Sequence, residues 1–375
     1  FVKIAQIMIA ERLSRLRQAQ RQAQVDYVAL IPGPNLIYFT GLHMHLSERP
    51  IVALLPADDA PPILIAPFFE VGKATNGAAA LPWQVYSYRD GVPYREAFRA
   101  AAEAHDLRGK TVAVEPLQMR LLEWTLLGEA APGIRQASAA DLIAPLRMVK
   151  DADEIAAMRR AVALSEAALA QTLREIREGM TERQVANLLM GHMLAGGAHG
   201  LPFTPLVQCG PNGANPHSTP SDRPLRRGDM VVIDFGLTVD DYSSDITRTI
   251  AIGEPDEQMR EIYEVVKAAN AAGRAAAMPG ATGAVVDRAA RSVIEAAGYG
   301  QYFTHRTGHG LGLEGHEPPY MVATDATPLR PGMTFTVEPG VYIPGKGGVR
   351  IEDDVLITED GHQSLTSFTR ELIVV

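Results

Sequence analysis

The sequence has very little cysteine, since Cys209 is the single one among 375 residues. One cysteine cannot form an intrachain disulfide, and it cannot supply a cluster of thiolates for zinc. Any bound metal must therefore be held by oxygen and imidazole ligands. The scarcity of cysteine also fits a reducing compartment, so we expect a cytoplasmic protein.

Excess positive charge and long hydrophobic runs are lacking as well. Lys and Arg total 35 against 44 Asp and Glu, which gives a formal net charge of −9. This sign disfavours binding to the phosphate backbone of nucleic acids and to anionic membranes. The nearest candidate for a membrane segment, Pro61 to Phe69, contains prolines and is far shorter than the roughly 20 residues that span a bilayer. We expect no nucleic-acid partner and no membrane association.

What is present is typical of globular domains, with 46% hydrophobic and 21% charged residues. At about 150 residues per domain, the length favours two domains. The first part of the chain alternates apolar runs and turn signals with charge-dotted stretches, which predicts an α/β domain over residues 1–146, followed by a second domain over 147–375. The predicted strands are Tyr27 to Ile31, Ile51 to Leu55, Ile63 to Ala66 and Thr111 to Val114, and the predicted helices include Tyr94 to Ala104 and Leu117 to Leu127.

Helix signals mark the start of the second domain. Asp151 and Asp153 precede apolar residues spaced three, four or seven apart, which predicts a capped amphipathic helix. Thr181 followed three positions later by Gln184 fits a capping box at the start of the next helix.

The second domain also contains a weak internal repeat. The pattern Gly-x-Thr at residues 179–181 recurs at residues 280–282, each time before a predicted helix. The segment from Leu225 to Gly236 aligns without gaps to the segment from Leu329 to Gly340. Asp234 then falls on Glu338. We predict a pseudo-two-fold repeat of one helix-and-strand unit.

Each copy of the repeat places carboxylates on apolar strands. Asp234 lies in the run 230–235, and Asp245 lies eleven residues later on the next predicted strand, 242–250. Glu338 follows the strand 335–337, and Glu352 lies on the predicted strand 349–357. A buried ionised carboxylate costs several kcal/mol without compensation. Because four such groups cannot converge without cations, the pattern predicts two divalent metal ions.

One imidazole is expected to join these carboxylates. His309 lies between glycines at 308 and 310, a pattern that indicates a strand with one face open to a close neighbour. His305 and His309 are four residues apart, but three glycines argue against the helix that a zinc peptidase motif requires. Such an oxygen-rich ligand set favours manganese, iron, cobalt or zinc, and the residues alone do not choose among them.

The motifs around these residues resemble the prolidase, aminopeptidase P and methionine aminopeptidase group of dinuclear metallopeptidases, which have the "pita-bread" fold. The resemblance covers roughly residues 145–375. It implies an α+β pita-bread catalytic domain with an internal pseudo-two-fold repeat. The N-terminal half is more weakly similar, with Tyr38-Phe-Thr-Gly41 as its best match, to the α/β domain that precedes the catalytic domain in prolidases. The motifs are Asp234-Phe-Gly, Ser244-Asp245-Ile-Thr-Arg-Thr, His305-Arg-Thr-Gly-His309-Gly-Leu-Gly, Glu338-Pro-Gly and Arg350-Ile-Glu352-Asp-Asp-Val.

The resemblance implies a role for each motif residue. Asp234 would hold one metal, Asp245 and Glu352 would bridge both metals, and His309 and Glu338 would complete the other. Glu338 would also transfer the proton. By the same resemblance His217, His305 and His316 are substrate-side histidines, and Arg350 orients the carboxylates. Two divalent ions per chain are implied, with manganese expected first and cobalt, zinc or iron as alternatives.

The implied activity is hydrolysis of the peptide bond before proline, most simply in Xaa-Pro dipeptides, by a hydroxide that bridges the two metals. Phe203 would form part of the wall that accepts the proline ring. The sequence departs from well-known prolidases at Tyr320, where an arginine often binds the substrate carboxylate. The resemblance also implies a homodimer, in which Arg49 from a loop of the partner could bind that carboxylate instead.

Other functions of the same fold stay open at this point. An aminopeptidase P would act on longer Xaa-Pro peptides, and a C–N hydrolase or lyase would act on a non-peptide substrate. A non-enzymatic scaffold is disfavoured because all five metal positions are present.

Overall fold

A computed structural model describes residues 2–76 and 81–375 of the chain. By contact density the chain divides into two compact units, one up to Arg147 and one from Met148 onward. Among the described helices, none combines the length and the apolar character that a bilayer-spanning segment requires.

The first unit is built around one mixed sheet. Its strands are β1 (Tyr27–Leu30), β2 (Val52–Pro56), β3 (Ile63–Pro67), β4 (Gln84–Tyr88), β5 (Thr111–Val114) and β6 (Arg135–Ser138). Its helices are α1 (Val2–Gln22), α2 (Pro34–Thr40), α3 (Val71–Asn76), α4 (Arg95–Ala104), α5 (Leu121–Ala130) and α6 (Ala140–Met148).

The order of strands in this sheet is β4-β3-β2-β1-β5-β6. The pairs β1–β2 and β2–β3 are antiparallel, whereas β3–β4, β1–β5 and β5–β6 are parallel. Strands β2 and β3 are buried along their whole length, as expected for strands in the middle of a covered sheet. The predicted strands and the α/β class of this unit are thus confirmed.

Two local differences from the sequence predictions have simple causes. Helix α2, which the sequence analysis did not predict, begins at Pro34, because a proline at the first helical position loses no hydrogen bond through its missing N–H. Helix α5 begins at Leu121 and ends at Ala130, four and three residues later than predicted, because residues 116–118 form a turn after β5.

The second unit has both predicted helix signals. Asp151 caps α7 (Ala152–Glu175) in a capping box with Glu154, and Thr181 caps α8 (Glu182–Ala195) in a capping box with Gln184. The remaining helices are α9 (Glu257–Ala275) and α10 (Gly283–Ala296).

Two sheets and two short two-stranded ribbons complete this unit. One sheet has the order β19-β11-β8-β7 and the other β13-β12-β14-β17-β18, while β9–β10 and β15–β16 form the ribbons. The strands are β7 (Leu206–Cys209), β8 (Met230–Phe235), β9 (Thr238–Val239), β10 (Tyr242–Ser243), β11 (Ile246–Ala251), β12 (Gly308–Gly310), β13 (Glu317–Met321), β14 (Thr334–Val337), β15 (Gly340–Ile343), β16 (Gly347–Arg350), β17 (Asp353–Ile357), β18 (His362–Ser364) and β19 (Ile373–Val374).

The internal repeat is visible in the backbone hydrogen bonds. The N–H of Gly179 donates to the carbonyl of Leu225 over 2.9 Å, and the N–H of Gly280 donates to the carbonyl of Leu329 over 2.8 Å. Both glycines have a positive φ, 88° and 81°, which favours glycine at these turns. The two halves of this unit therefore share one hydrogen-bonding frame.

Two predicted long strands are interrupted at a carboxylate. The stretch 242–250 divides into β10 and β11, with Asp245 in the gap, and the stretch 349–357 divides into β16 and β17, with Glu352 in the gap. The gaps are tied together, because the N–H of Glu352 donates to the carbonyl of Thr247 over 3.1 Å. Each predicted strand is thus interrupted at a carboxylate residue, Asp245 or Glu352, that lies close to the other half of the unit.

Candidate metal centre

The two halves of the second unit each supply two carboxylates. Asp234 is the fifth residue of β8, directly across from Thr247 of β11 in the antiparallel register. Glu338 follows the last residue of β14, at the position that corresponds to Asp234 in the repeat. Asp245 and Glu352 come from the strand interruptions.

His309 comes from the middle of β12, with its two glycine neighbours packed against other strands. A Cβ added to Gly308 would lie 1.9 Å from the carbonyl oxygen of Thr336, and one added to Gly310 would lie 2.3 Å from that of Pro318. No larger residue fits at either position. The close neighbour that the glycines admit is therefore the backbone of adjacent strands, and His309 projects from between them.

These five side chains meet in one cluster. Ligand atoms lie within 4.8 Å of one another in three groups of three: Asp234, Asp245 and Glu352; His309, Glu338 and Glu352; and Asp245, His309 and His316. His309 Nε2 is 3.3 Å from Glu338 Oε1 and 3.7 Å from Asp245 Oδ2. The sequence-predicted ligands are thus brought together, and Glu352 belongs to two of the groups.

The charges in this cluster are not balanced by the chain. Burial, and then the charges of Glu352 and Asp234, raise the pKa of Asp245 well above its ordinary value. Burial likewise raises the pKa of Glu352, and it raises that of Glu338 to about 7. The ionised form of all three carboxyls is therefore unfavourable, and nearby cations would stabilise it.

Orphaned oxygen atoms indicate where cations would bind. Asp234 Oδ1 and Asp245 Oδ1 are buried and have no hydrogen-bond partner among the described residues. Such atoms are rare in folded proteins and costly unless an ion or water completes them. Four carboxylates and one imidazole form a hard, oxygen-rich donor set, which fits a pair of divalent ions.

The tautomer and the charge of His309 are also those of a metal ligand. Its Nδ1 lies 3.1 Å from the carbonyl oxygen of Gly310, which can only accept, so Nδ1 carries the proton and Nε2 is the acceptor facing the cluster. Burial, and then the neighbouring His316, lower its pKa well below the ordinary value. His309 is therefore neutral, as metal coordination requires.

A hydrogen-bond network holds the carboxylates in position. Arg350 Nη2 donates to Asp234 Oδ2 over 2.6 Å, and Arg350 Nε donates to Thr247 Oγ1 over 3.2 Å. Thr247 in turn donates to Glu352 Oε2 over 2.6 Å. Arg350 also donates to the hydroxyl of Tyr342 over 2.8 Å. Arg350 therefore contacts Asp234 directly and Glu352 through Thr247, and its orienting role stays a prediction.

Thr247 and Tyr342 were not identified from the sequence. A threonine on a β-strand is ordinary, and its hydroxyl becomes informative only when the register shows it opposite Asp234. Tyr342 lies on β15, in the turn-forming stretch between Glu338 and Glu352, where no spacing rule marks it.

The three predicted substrate-side histidines lie in the same cavity but differ in their contacts. His316 is exposed, and its ring centroid is 3.9 Å from that of His309. His217 is exposed on the loop after residues 210–214. His305 has both ring nitrogens engaged, at 2.7 Å from the carbonyl of Arg306 and 2.8 Å from the Tyr342 hydroxyl. To donate to a substrate, His305 would have to give up one of these contacts.

The cluster forms one end of a cavity of about 850 Å³ within the second unit. Its lining includes the five predicted ligands, the three histidines, Arg350 and Phe203. Burial lowers the pKa of His305 to about 3, so its ring is uncharged near neutral pH.

Two predicted substrate contacts lie elsewhere. Tyr320 is on β13, with the guanidinium carbon of Arg306 4.7 Å from its ring centroid. Arg49 lies in the first unit, where it forms ion pairs with Glu48 and, over 2.9 Å, with Asp90. Its charge is balanced within its own unit, and its role across a dimer stays a prediction.

Fold and site together define a class, the pita-bread hydrolases with a carboxylate-rich metal centre. Two family models match the chain: the Creatinase/Prolidase N-terminal domain over residues 12–149, and metallopeptidase family M24 over residues 156–359. The chain belongs to metallopeptidase family M24.

Known relatives cover nearly the whole chain. "Probable dipeptidase PepE" of Mycobacterium tuberculosis is 39% identical over 369 residues, which are 98% of this chain and 96% of the relative. "Xaa-Pro dipeptidase" of Pyrococcus furiosus is 46% identical over 233 residues, 62% of this chain and 67% of the relative. The crystal structure of a prolidase from Thermococcus sibiricus superposes with a TM-score of 0.92 at 33% identity, covering 97% of this chain and 98% of that one. These comparisons confirm the predicted family and fold.

Proposed function

We propose that this protein is a metal-dependent Xaa-Pro dipeptidase that hydrolyses the peptide bond before proline. The observation that carries the proposal is the convergence of Asp234, Asp245, His309, Glu338 and Glu352, with two orphaned carboxylate oxygens, at one end of a cavity. The names of two relatives, "Probable dipeptidase PepE" and "Xaa-Pro dipeptidase", support the substrate class.

Two divalent ions would divide this ligand set unequally. Asp234 would hold one ion, His309 and Glu338 the other, and Asp245 and Glu352 would bridge both. Asp245 and Glu352 share one ligand group with Asp234, and each also belongs to a group that contains His309, which supports their bridging role. When bound, such ions lower the pKa of a shared water and polarise a carbonyl group.

We assign the transfer of the proton from the attacking water to Glu338. Burial raises the pKa of this carboxyl to about 7 in the metal-free protein, and Glu338 Oε1 also accepts a hydrogen bond from Thr336 over 3.3 Å. A carboxylate in this position would accept a proton from the attacking water and deliver it to the leaving nitrogen of proline.

The histidines would act on the substrate rather than on the water. His316 would donate a hydrogen bond to the carbonyl oxygen as negative charge develops there. His305, held by Tyr342, would act beside it after releasing a ring nitrogen, and His217 would position the substrate from the cavity mouth. Phe203 would form part of the wall against the proline ring.

We also propose manganese as the physiological metal, a homodimer as the active form and the cytoplasm as the place of action. The oxygen-rich donor set supports a hard metal such as manganese. The family resemblance supports the dimer, and the single Cys209 supports a reducing compartment. Metal analysis after native purification, with activity reconstitution by manganese, cobalt, zinc and iron, tests the first of these.

A substrate panel tests the function itself. The manganese-loaded protein should cleave a Xaa-Pro dipeptide, and should cleave Xaa-Ala and Xaa-Pro-Xaa peptides much more slowly. Glu352→Gln, which removes one shared ligand charge, is the inactive control. Preference for Xaa-Pro-Xaa would indicate an aminopeptidase P instead, and failure on every peptide would indicate a different C–N hydrolase or lyase.

A further inference from the structure

A dipeptide substrate carries a free carboxylate next to the bond that is cleaved, and taking this charge out of water is costly unless a cation faces it. With two divalent ions bound, the four carboxylates of the cluster would be balanced, and Glu314 is a further acidic side chain in the cavity lining. If the chain is the dipeptidase proposed above, a cation must face the substrate carboxylate.

His305 does not supply this cation, because both of its ring nitrogens are engaged, at 2.7 Å from the carbonyl of Arg306 and 2.8 Å from the Tyr342 hydroxyl. An arginine carries its charge throughout the physiological pH range, so the arginines of the cavity lining are the candidates.

Two arginines line the cavity, and one of them is already engaged. Arg350 is buried and donates to Asp234, Thr247 and the Tyr342 hydroxyl. Its guanidinium is therefore committed to the carboxylate network. To reach a substrate carboxylate, Arg350 would have to give up its hydrogen bond to Asp234. The negative charge of Asp234 would then be left without this partner.

Arg306 is the other arginine, and its guanidinium is not engaged in this way. Its side chain forms no hydrogen bond or ion pair with any residue in the described ranges 2–76 and 81–375, and its contact is with the face of the Tyr320 ring, at 4.7 Å. Arg306 is half-buried at the cavity wall, between His305 and the start of β12. A half-buried guanidinium without an acidic partner is available to a ligand.

The ring of Tyr320 holds the guanidinium of Arg306 in place. A guanidinium over an aromatic face is attracted by the negative face of the ring, while the N–H donors at its edge stay available for a planar acceptor. A carboxylate is such an acceptor, and it matches a guanidinium in a bidentate arrangement.

We propose that Arg306, held over Tyr320, binds the C-terminal carboxylate of the substrate and thereby selects dipeptides. Arg306 is the binding residue in this arrangement, and Tyr320 is a positioning residue that acts through it. Tyr320 then contributes to specificity without touching the substrate.

The test compares a Xaa-Pro dipeptide with the same dipeptide carrying a C-terminal amide. The amide retains the scissile bond but lacks the negative charge. In Arg306→Gln we expect KM for the dipeptide to rise about 10- to 100-fold, the usual size for loss of a hydrogen bond between charged groups. KM for the amide should rise less, by about two- to tenfold, because its carbonyl oxygen accepts only a hydrogen bond of the neutral kind. Arg306→Lys should lie in between, because it keeps the charge and loses the fork of donors.

Arg288→Gln is the matched control, since Arg288 is an exposed arginine on α10 that does not line the cavity. It should leave the dipeptide-to-amide ratio unchanged. The metal content of Arg306→Gln should equal that of the unmodified protein, because Arg306 is not one of the proposed ligands.

Tyr320 gives a second measurement. Tyr320→Phe keeps the aromatic face and should retain the preference for the dipeptide over the amide, whereas Tyr320→Leu should reduce it by raising KM rather than lowering kcat. Equal behaviour of these two variants would contradict the positioning role.

The outcomes separate this proposal from the function on which it rests. If the unmodified protein cleaves neither the dipeptide nor its amide, the proposed function fails. If it prefers the dipeptide and Arg306→Gln keeps that preference, the dipeptidase function stands and the role of Arg306 is wrong.

Discussion

Three consecutive acidic residues, Glu352, Asp353 and Asp354, have opposite electrostatic surroundings. Successive side chains along an extended backbone alternate in direction, so Asp353 points away from its two neighbours. Asp353 accepts hydrogen bonds from Arg248 over 2.9 Å and from Arg370 over 2.7 Å. Although its burial opposes ionisation, these guanidiniums hold the pKa of Asp353 below its usual value.

Glu352 and Asp354 are equally buried, but neither forms an ion pair with a residue in the part of the chain that the structure describes. Burial raises the pKa of both well above the ordinary range. Asp354 Oδ2 accepts the backbone N–H of Asp245 over 3.2 Å, while its Oδ1 is buried without a partner among the described residues. Where the chain supplies its own counter-ions, a carboxylate is part of the fold. Where the chain omits them, ionisation is unfavourable, and Glu352, which belongs to two of the ligand groups, is proposed to gain a cation from solution.

Asp353→Asn should produce the largest effect of the changes considered. It leaves buried guanidiniums, Arg248 above all, without their negative partner, and breaking a buried ion pair from one side costs about 3–5 kcal/mol. The free energy of unfolding, measured by urea denaturation, should fall by that amount. The loss should be the same with metal and with chelator. A loss seen only with metal would mean that Asp353 acts through the metal centre.

Glu352→Gln should act in the opposite sense on the metal-free protein. Removing a shared ligand should lower activity by at least about 100-fold, because even a residue that only supports a ligand costs 10- to 100-fold. In chelator, however, the variant should be as stable as the unmodified protein or more stable, since one strained negative charge is gone. Metal content and urea denaturation in chelator measure the two effects. A destabilised metal-free variant would contradict the contrast with Asp353.

Two threonines provide a matched pair for a finer test. Thr247 donates to Glu352 Oε2 over 2.6 Å, and Thr366 donates to Asp353 Oδ1 over 2.8 Å. Thr247→Val should weaken metal binding about 10- to 100-fold. Thr366→Val should leave metal affinity unchanged and lower the free energy of unfolding by about 1–3 kcal/mol. Metal titration and urea denaturation of both variants distinguish these results, and similar metal affinities would remove the distinction.

The pH dependence of the free energy of unfolding, measured in chelator, gives the smallest expected effect when it is compared one pH unit at a time. The pKa of Glu352 is raised in the fold, so its carboxyl holds a proton that the unfolded chain releases above about pH 4.3. Its contribution to stability is therefore lost as pH rises, and the advantage of Glu352→Gln over the unmodified protein should grow by up to about 1.4 kcal/mol per pH unit.

The sign for Asp353 is reversed. Its pKa is lowered in the fold, so its contribution is present above the unfolded value of about 3.9 and is lost as pH falls through the folded value. The penalty of Asp353→Asn should therefore shrink on acidification below about pH 4. Parallel pH profiles for the two variants would show that the two carboxylates have the same surroundings after all.

The clustering of the carboxylates could be predicted from the sequence because burial and charge conflict at each of them. An ionisable residue in the apolar run of β8, repeated at Glu338, needs a compensating cation wherever the strand lies. The same reasoning could not separate Glu352 from Asp353, since both are acidic residues in an apolar stretch. Only the alternation of side chains, fixed by the pairing of Asp353 with Val337, decides which one faces the arginines.

Hydrogen bonds between residues far apart in sequence could not be predicted either, because they depend on how the strands pair. Thr247 and Glu352 are 105 positions apart, and Arg350 and Asp234 are 116 positions apart. Propensity and spacing describe neighbours along one element, so they indicate that a carboxylate is buried without naming its donors. The repeat is the exception, because matching residues in its two copies relate Asp234 to Glu338 across more than a hundred positions.

The shared hydrogen-bonding frame of the two halves limits how the length of this chain can vary in evolution. Asp234 comes nine positions after Leu225, and Glu338 comes nine positions after Leu329, with both leucines anchored by the matching glycine turns. An insertion or deletion inside either interval would move one carboxylate relative to its counterpart, and no change elsewhere could restore the spacing. Homologous sequences should therefore lose and gain residues freely in the loops outside these intervals and keep both intervals at constant length.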